Sequence, residues 1–168
     1  MVISMEGVDF SFSADKKRMY EEVVLQLKGL MEDVPYLVAN LSNASALLNQ
    51  AMDRINWVGF YLMQNGKLVL GPFQGKTACI EIKVGRGVCG TAVARDEVML
   101  IEDVHAFPGH IACDATSRSE IVLPIHYGEE IVGVLDIDSP YVGRFNEVDR
   151  DGLLQVVQVL EKMYQRCI

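Results

Sequence analysis

Cys79, Cys89 and Cys113 are the residues of this sequence best equipped to form and break covalent bonds. A thiolate can attack an electrophile, become oxidised and then pair with a second thiol. Cys113 sits in His110-Ile111-Ala112-Cys113-Asp114, within a segment without regular periodicity. Cys89 stands where a glycine-rich turn meets a short helix, and amides at a helix start favour a thiolate. Cys79 shares strand parity with Glu81 and Lys83, opposite Ala78, Ile80 and Ile82, so it is expected off the core face. A cysteine taken singly is more often a small buried hydrophobe, and penultimate Cys167 is given no role. No CxxC is present, which excludes a zinc ribbon or a thioredoxin motif. His105, His110 and Cys113 form a possible metal set, but His-x4-His-x2-Cys matches no zinc pattern, so no metal is expected.

Acids and rings surround these thiols in the pattern. Asp136 and Asp138 end an apolar strand and share parity with Val132 and Val134, while Glu120 opens the neighbouring strand on the face of Val122 and Pro124. Carboxylates that continue a buried face are costly without a partner. A ligand ammonium would be one partner, and a ligand oxygen taking a proton another. Trp57 and Tyr61 share a strand face with Gly59 between them, and the glycine is expected to leave a gap suited to a small apolar group. Taken alone, such rings more often belong to the core. The run Val84-Gly85-Arg86-Gly87-Val88-Cys89-Gly90 lacks the Gly-Lys-Ser/Thr ending of a phosphate-binding loop.

The elements that must position these residues follow from periodicity. Ser13 is expected to cap a helix running to about Glu32, with Met19, Tyr20, Val23, Val24, Leu27, Leu30 and Met31 at helical spacing. Pro35 is expected to start a second helix that ends before Asn56. Strands are expected over 56–64 and 67–73 around the Asn65-Gly66 turn, then over 79–84 and 98–101. A short helix to about Arg95 separates the last two. A second hairpin joins 120–127 to 130–138, and Asn146 caps a final helix. This order implies an α+β fold, with a mainly antiparallel central sheet and N-terminal and C-terminal helices packed on one face. Residues 1–12 are expected to be a flexible tail and 13–168 one domain. The stretch 103–119 has no usable periodicity, which suits a lid or binding loop.

Composition narrows the function. The chain has 168 residues, half of them apolar or aromatic, and a net charge of −8. Its isoelectric point is about 4.8. No Lys/Arg cluster is present to meet phosphates, which argues against nucleic acid and an anionic membrane surface. No signal peptide or membrane span is visible, so a cytoplasmic location is expected, and the cysteines read as thiols rather than a disulfide framework.

Five segments together resemble the GAF-domain free methionine-(R)-sulfoxide reductases. They are Asn56-Trp57-Val58-Gly59-Phe60-Tyr61, Gly85-Arg86-Gly87-Val88-Cys89-Gly90, Phe107-Pro108-Gly109-His110-Ile111-Ala112-Cys113-Asp114, Ser117-Arg118-Ser119-Glu120-Ile121-Val122 and Leu135-Asp136-Ile137-Asp138-Ser139. The resemblance implies a single GAF-like domain, a homodimer, and no metal or organic cofactor. It implies Cys113 as nucleophile, with Cys79 or Cys89 as the resolving thiol. It also implies that Trp57, Tyr61, Glu120, Asp136 and Asp138 line the substrate pocket and that thioredoxin recycles the enzyme.

Those residue types suit that reaction. A thiol attacks the sulfoxide sulfur, a carboxyl of raised pKa supplies a proton, and a remaining carboxylate holds the α-ammonium. The resulting sulfenic acid condenses with a second thiol. Acids beside Cys113 would suppress its thiolate, an effect that Arg118 or His110 could offset. The competing expectation is a ligand-sensing GAF module without catalysis, since fold alone does not fix function.

Overall fold

The computed structural model describes residues 11–110 and 114–167. Two helices come first, α1 (Lys16–Met31) and α2 (Leu37–Ala51). Strands β1 (Trp57–Gln64), β2 (Lys67–Gly75) and β3 (Glu81–Lys83) follow. A short helix α3 (Gly87–Arg95) precedes β4 (Met99–Ile101) and a 3-10 turn at Val104–Ala106. Then come β5 (Ser119–Tyr127), β6 (Glu130–Ser139) and α4 (Glu147–Arg166). The six strands form one sheet in the order β3-β2-β1-β6-β5-β4, with antiparallel pairing throughout. The α+β architecture is the one expected from the sequence.

Strand alternation divides the core in two. Val58, Phe60, Ile121, Leu123, Leu135 and Ile137 face α1, α2 and α4 and are fully buried there. Trp57, Tyr61, Val122 and Val134 face the other way, where α3 covers them with Val88, Cys89 and Ala92. The terminal helices therefore share one face, and α3 lies on the other. Phe12, inside the expected tail, packs against the helix-side core; residues 1–10 lie outside the described residues.

Several expectations shift in detail. α1 is capped by Asp15, whose carboxylate accepts from the Arg18 amide at 2.9 Å. Ser13 sits two residues earlier and instead accepts from the Asp15 amide. α2 starts after Tyr36, two residues beyond Pro35. Cys79 and Ile80 precede β3 in irregular chain, so strand parity does not govern Cys79. β6 carries a bulge, since Ile125 pairs with Gly133 but His126 with Ile131. The additional residue is Val132, which packs with the helix-side core rather than with Val134. The Asn65-Gly66 turn has positive φ at both residues, as a tight twisted hairpin requires.

A buried ion cluster ties the terminal helices together. Asp149 is fully buried and accepts from Lys16 Nζ at 2.8 Å, the Tyr20 hydroxyl at 2.7 Å and the Asn146 amide at 2.9 Å. Asn146 in turn caps α4 through the amides of Val148 and Asp149. Arg144, also buried, donates to Asp149 and to Asp53. Burial alone would raise the Asp149 pKa, but the hydrogen bonds from Lys16, Tyr20 and Asn146 prevail and lower it. Asp149→Ala leaves the Tyr20 hydroxyl without its partner and Arg144 with Asp53 alone, at a cost of about 3–5 kcal/mol. Chemical denaturation should show that loss; a change below about 1 kcal/mol would show the cluster to be dispensable.

Candidate active site

The register of three adjacent strands builds the site in rows. Trp57 on β1 lies opposite Asp138 on β6, and Asp138 lies opposite Glu120 on β5. In the next row Gly59, Asp136 and Val122 align, and then Tyr61 lies beside Val134. Two carboxyls thus share a row and the third stands one step along the same face. α3 crosses this face and delivers Cys89, whose Sγ lies 3.9 Å from Glu120 Oε1. Thiol and carboxyl donors of Cys89, Glu120 and Asp136 lie within 4.8 Å of one another. Arg86, His110, Asp114 and Ser117 complete the wall around these groups.

Burial sets the protonation of this cluster. Glu120 is 7% exposed and Asp136 5%. Loss of water pushes the Glu120 pKa well up, and the nearby Asp136 and Asp138 charges push it further. Burial takes Asp136 up to about 6, although hydrogen bonds involving Glu120 and Cys89 act the other way. Asp138 rises through burial and the charges of Asp136 and Asp114. The Cys89 thiol is raised first by burial and then by Asp136 and Glu120. Asp136 Oδ1 is buried without a hydrogen-bond partner among the described residues. Carboxylic acids that keep protons near neutral pH, with one oxygen facing an open pocket, are equipped to donate to a ligand oxygen.

The two aromatic residues have polar as well as apolar tasks. Trp57 stacks on Tyr61 at 5.9 Å and on Phe73 at 5.2 Å between centroids. Trp57 Nε1 donates to the Lys76 carbonyl at 3.1 Å, and the Tyr61 hydroxyl donates to the Cys79 carbonyl at 2.9 Å. Both rings therefore clamp the segment that carries Cys79. The space above Gly59 is not the expected gap. A Cβ there would meet Phe73 Cβ at 2.3 Å, so glycine is required for β2 to approach closely.

The thiols differ in state. Cys79 is disulfide-bonded, whereas Cys89 and Cys167 are free. The expected nucleophile Cys113 lies outside the described residues, so of its suggested metal set only His105 and His110 are described. Those two rings stand 6.4 Å apart, and His110 has its pKa lowered by burial and by His105. Among the described residues, Cys89, Glu120 and Asp136 are the group whose donors are close enough to share a metal ion. Arg118 is half-exposed and paired with Asp103 at 3.5 Å, and it is not among the residues walling the pocket.

Known proteins resemble this chain closely. The GAF domain family model matches residues 43–161. The free methionine-R-sulfoxide reductase of Escherichia coli is 55% identical over 149 residues, covering 89% of this chain and 90% of the relative. The enzyme of the same name from Neisseria meningitidis, solved in complex with its substrate, is 43% identical with a TM-score of 0.91. That match covers 94% of this chain and 96% of the other. A reduced-form structure from Staphylococcus aureus is 51% identical with a TM-score of 0.84, covering 86% and 94%. The chain belongs to the GAF-domain free methionine-R-sulfoxide reductase family.

Several residues that support the pocket carry no signal in the sequence. Phe73 carries no distinguishing pattern on a half-buried strand. Asn56 was visible only as a strand start, yet its amide donates to Asp114 Oδ2 at 3.2 Å and to Ser117 Oγ at 3.0 Å, fastening the irregular segment to β1. Thr116 further fixes Asp114 through its amide at 2.9 Å and its hydroxyl at 2.7 Å. Asp114 and Ser117 are pocket residues by virtue of that fastening.

The cluster has a stability signature. A carboxyl whose folded pKa exceeds its unfolded value binds more protons in the folded state between the two values, so stability falls as pH rises through that window. For Asp136 the window runs from its ordinary 3.8 to about 6, and the penalty is complete above it. Glu120 and Asp138 shift in the same direction. The melting temperature should therefore decline between pH 4 and pH 6, and Asp136→Asn should flatten that decline; an unchanged slope would show that Asp136 is ionised at an ordinary pKa.

Proposed function

We propose that this chain reduces free L-methionine-(R)-sulfoxide to methionine by thiol chemistry. The supporting observation is the buried carboxyl cluster at the base of an aromatic pocket, with Asp136 Oδ1 unpartnered among the described residues and the disulfide-bearing Cys79 segment clamped to its wall. The substrate sulfoxide oxygen approaches Glu120 and Asp136, the S-methyl group packs on Trp57 and Tyr61, and the α-ammonium meets the half-buried Asp138 nearer the opening.

Cys113 attacks the sulfoxide sulfur while a carboxylic acid of the cluster protonates the oxygen. The oxygen leaves on the cysteine, giving methionine and a Cys113 sulfenic acid. The Cys79 thiol then attacks that sulfenic sulfur, expelling water and forming a disulfide. A thioredoxin dithiol reduces this disulfide by exchange and is itself oxidised. The electrons come from thiols throughout, and no metal or organic cofactor is called for.

Cys79, rather than Cys89, is the resolving thiol in this scheme. Cys79 already takes part in a disulfide, and Cys89 is a free, buried thiol. The acids around Cys89 oppose its ionisation, which slows attack on a sulfenic acid. Cys89 instead hydrogen-bonds to Glu120 and helps to fix the carboxyl that faces the substrate. A homodimer and a cytoplasmic location complete the proposal. Among the described residues no helix is long and apolar enough to cross a membrane.

Incubation with each epimer of free methionine sulfoxide and a dithiol tests the activity. The R epimer should be consumed and the S epimer left. Cys113→Ser should lower turnover by on the order of 10³-fold or more, as loss of a covalent nucleophile does. Cys79→Ser should still release one methionine per chain in a single turnover but form no internal disulfide. Disulfide formation that requires Cys89 instead would overturn the assignment, and ligand binding without turnover would favour a sensing module.

A further inference from the structure

We propose that Arg86 binds the α-carboxylate of the substrate and so helps to restrict the enzyme to the free amino acid. This rests on the activity proposed above. The pocket is graded by depth. Glu120 and Asp136 lie at its buried base, Asp138 is half-buried, and Arg86 is exposed at the mouth. Four carboxyls line this pocket, those of Asp114, Glu120, Asp136 and Asp138. None of them offers a substrate carboxylate a cationic partner, and any that is ionised would repel it. Among the described lining residues Arg86 is the one Lys or Arg side chain, and it makes no ion pair with any described residue. By contrast Arg118, on the neighbouring loop, is engaged by Asp103.

The backbone holds Arg86 in place for this task. Its amide donates to the Lys83 carbonyl at 3.0 Å, and its carbonyl accepts from the Gly90 amide at 3.1 Å. It stands between Gly85 and Gly87, both at positive φ, in the tight turn that leads into α3. The side chain thus springs from a fixed point beside Cys89. A guanidinium offers a planar fork that matches a carboxylate in a two-point contact. With the sulfoxide at the base and the ammonium at Asp138, the carboxylate is left at the mouth, where Arg86 stands. A methionine residue inside a peptide carries neither charged group, so the pocket would gain from neither contact.

The test compares free methionine-(R)-sulfoxide with its methyl ester, which keeps the ammonium and lacks the carboxylate charge. Wild-type turnover on the free amino acid tests the underlying activity by itself. With that activity present, Arg86→Ala should raise KM for the free amino acid about tenfold or more while largely preserving kcat, as loss of a charged hydrogen bond made equally before and during reaction does. On the methyl ester, wild type should already show the raised KM and Arg86→Ala should add little. Arg86→Lys, which keeps the charge without the fork, should fall between. Arg86→Gln provides a second neutral variant with a similar stem. An equal loss on both substrates, or no change in KM on the free amino acid in either neutral variant, would overturn the proposal.

Discussion

The site depends on one costly arrangement: three carboxyl groups turned toward the covered face of an antiparallel sheet. Register enforces it. Because Trp57, Asp138 and Glu120 occupy one row across β1, β6 and β5, and Asp136 the next, none of the acids can turn away without a strand slipping by a residue. A slip would send Leu135 and Ile137 out of the helix-side core, where both are fully buried. The hydrophobic interior on one face thereby holds the polar cluster in place on the other. Protonation is the relief available to buried carboxyls without cationic partners.

From that constraint the other features of the site acquire their sense. α3 is the cover that excludes water from the acids, and its Cys89 offers a weak donor to Glu120 that adds no charge. The aromatic pair contributes apolar surface and, through its N–H and O–H groups, restrains the Cys79 segment. Asn56 fastens the opposite loop through Asp114 and Ser117. A rigid sheet therefore carries the acids, while Cys79 lies off the sheet in irregular chain before β3. Such a division suits a reaction in which one sulfur must reach first a substrate and then a second sulfur. The Asp149 cluster has the opposite design: each acid oxygen is met by donors, and the group stays charged.

Much of this was legible in the sequence because the two faces of each strand have different chemistry. Val58, Phe60 and Leu62 against Trp57 and Tyr61 disclose the sides of β1, and Asn146 ahead of acidic Glu147 and Asp149 marks the start of α4. The acids were legible because carboxyls on an apolar strand face violate the usual pattern. The remainder depended on tertiary geometry. The Val132 bulge shifts the register of β6 without any unusual residue type. Phe73 fills the space above Gly59 only because a bulged β1–β2 register brings it there. Arg86 is an exposed arginine like several others until the turn and α3 set it at the pocket mouth. Cys79 follows no strand alternation because the chain enters β3 two residues later.

The central claim is that the cluster of Glu120, Asp136 and Asp138 retains protons near neutral pH in the empty protein. Infrared difference titration of the carboxylic C=O stretch, comparing wild type with Asp136→Asn, reads this directly. The account predicts a protonated carboxyl band that persists at pH 6 to 7 and is diminished or displaced in the variant. Complete loss of that band below pH 5, identical in both proteins, would mean that the three acids are ordinary carboxylates and would contradict the account.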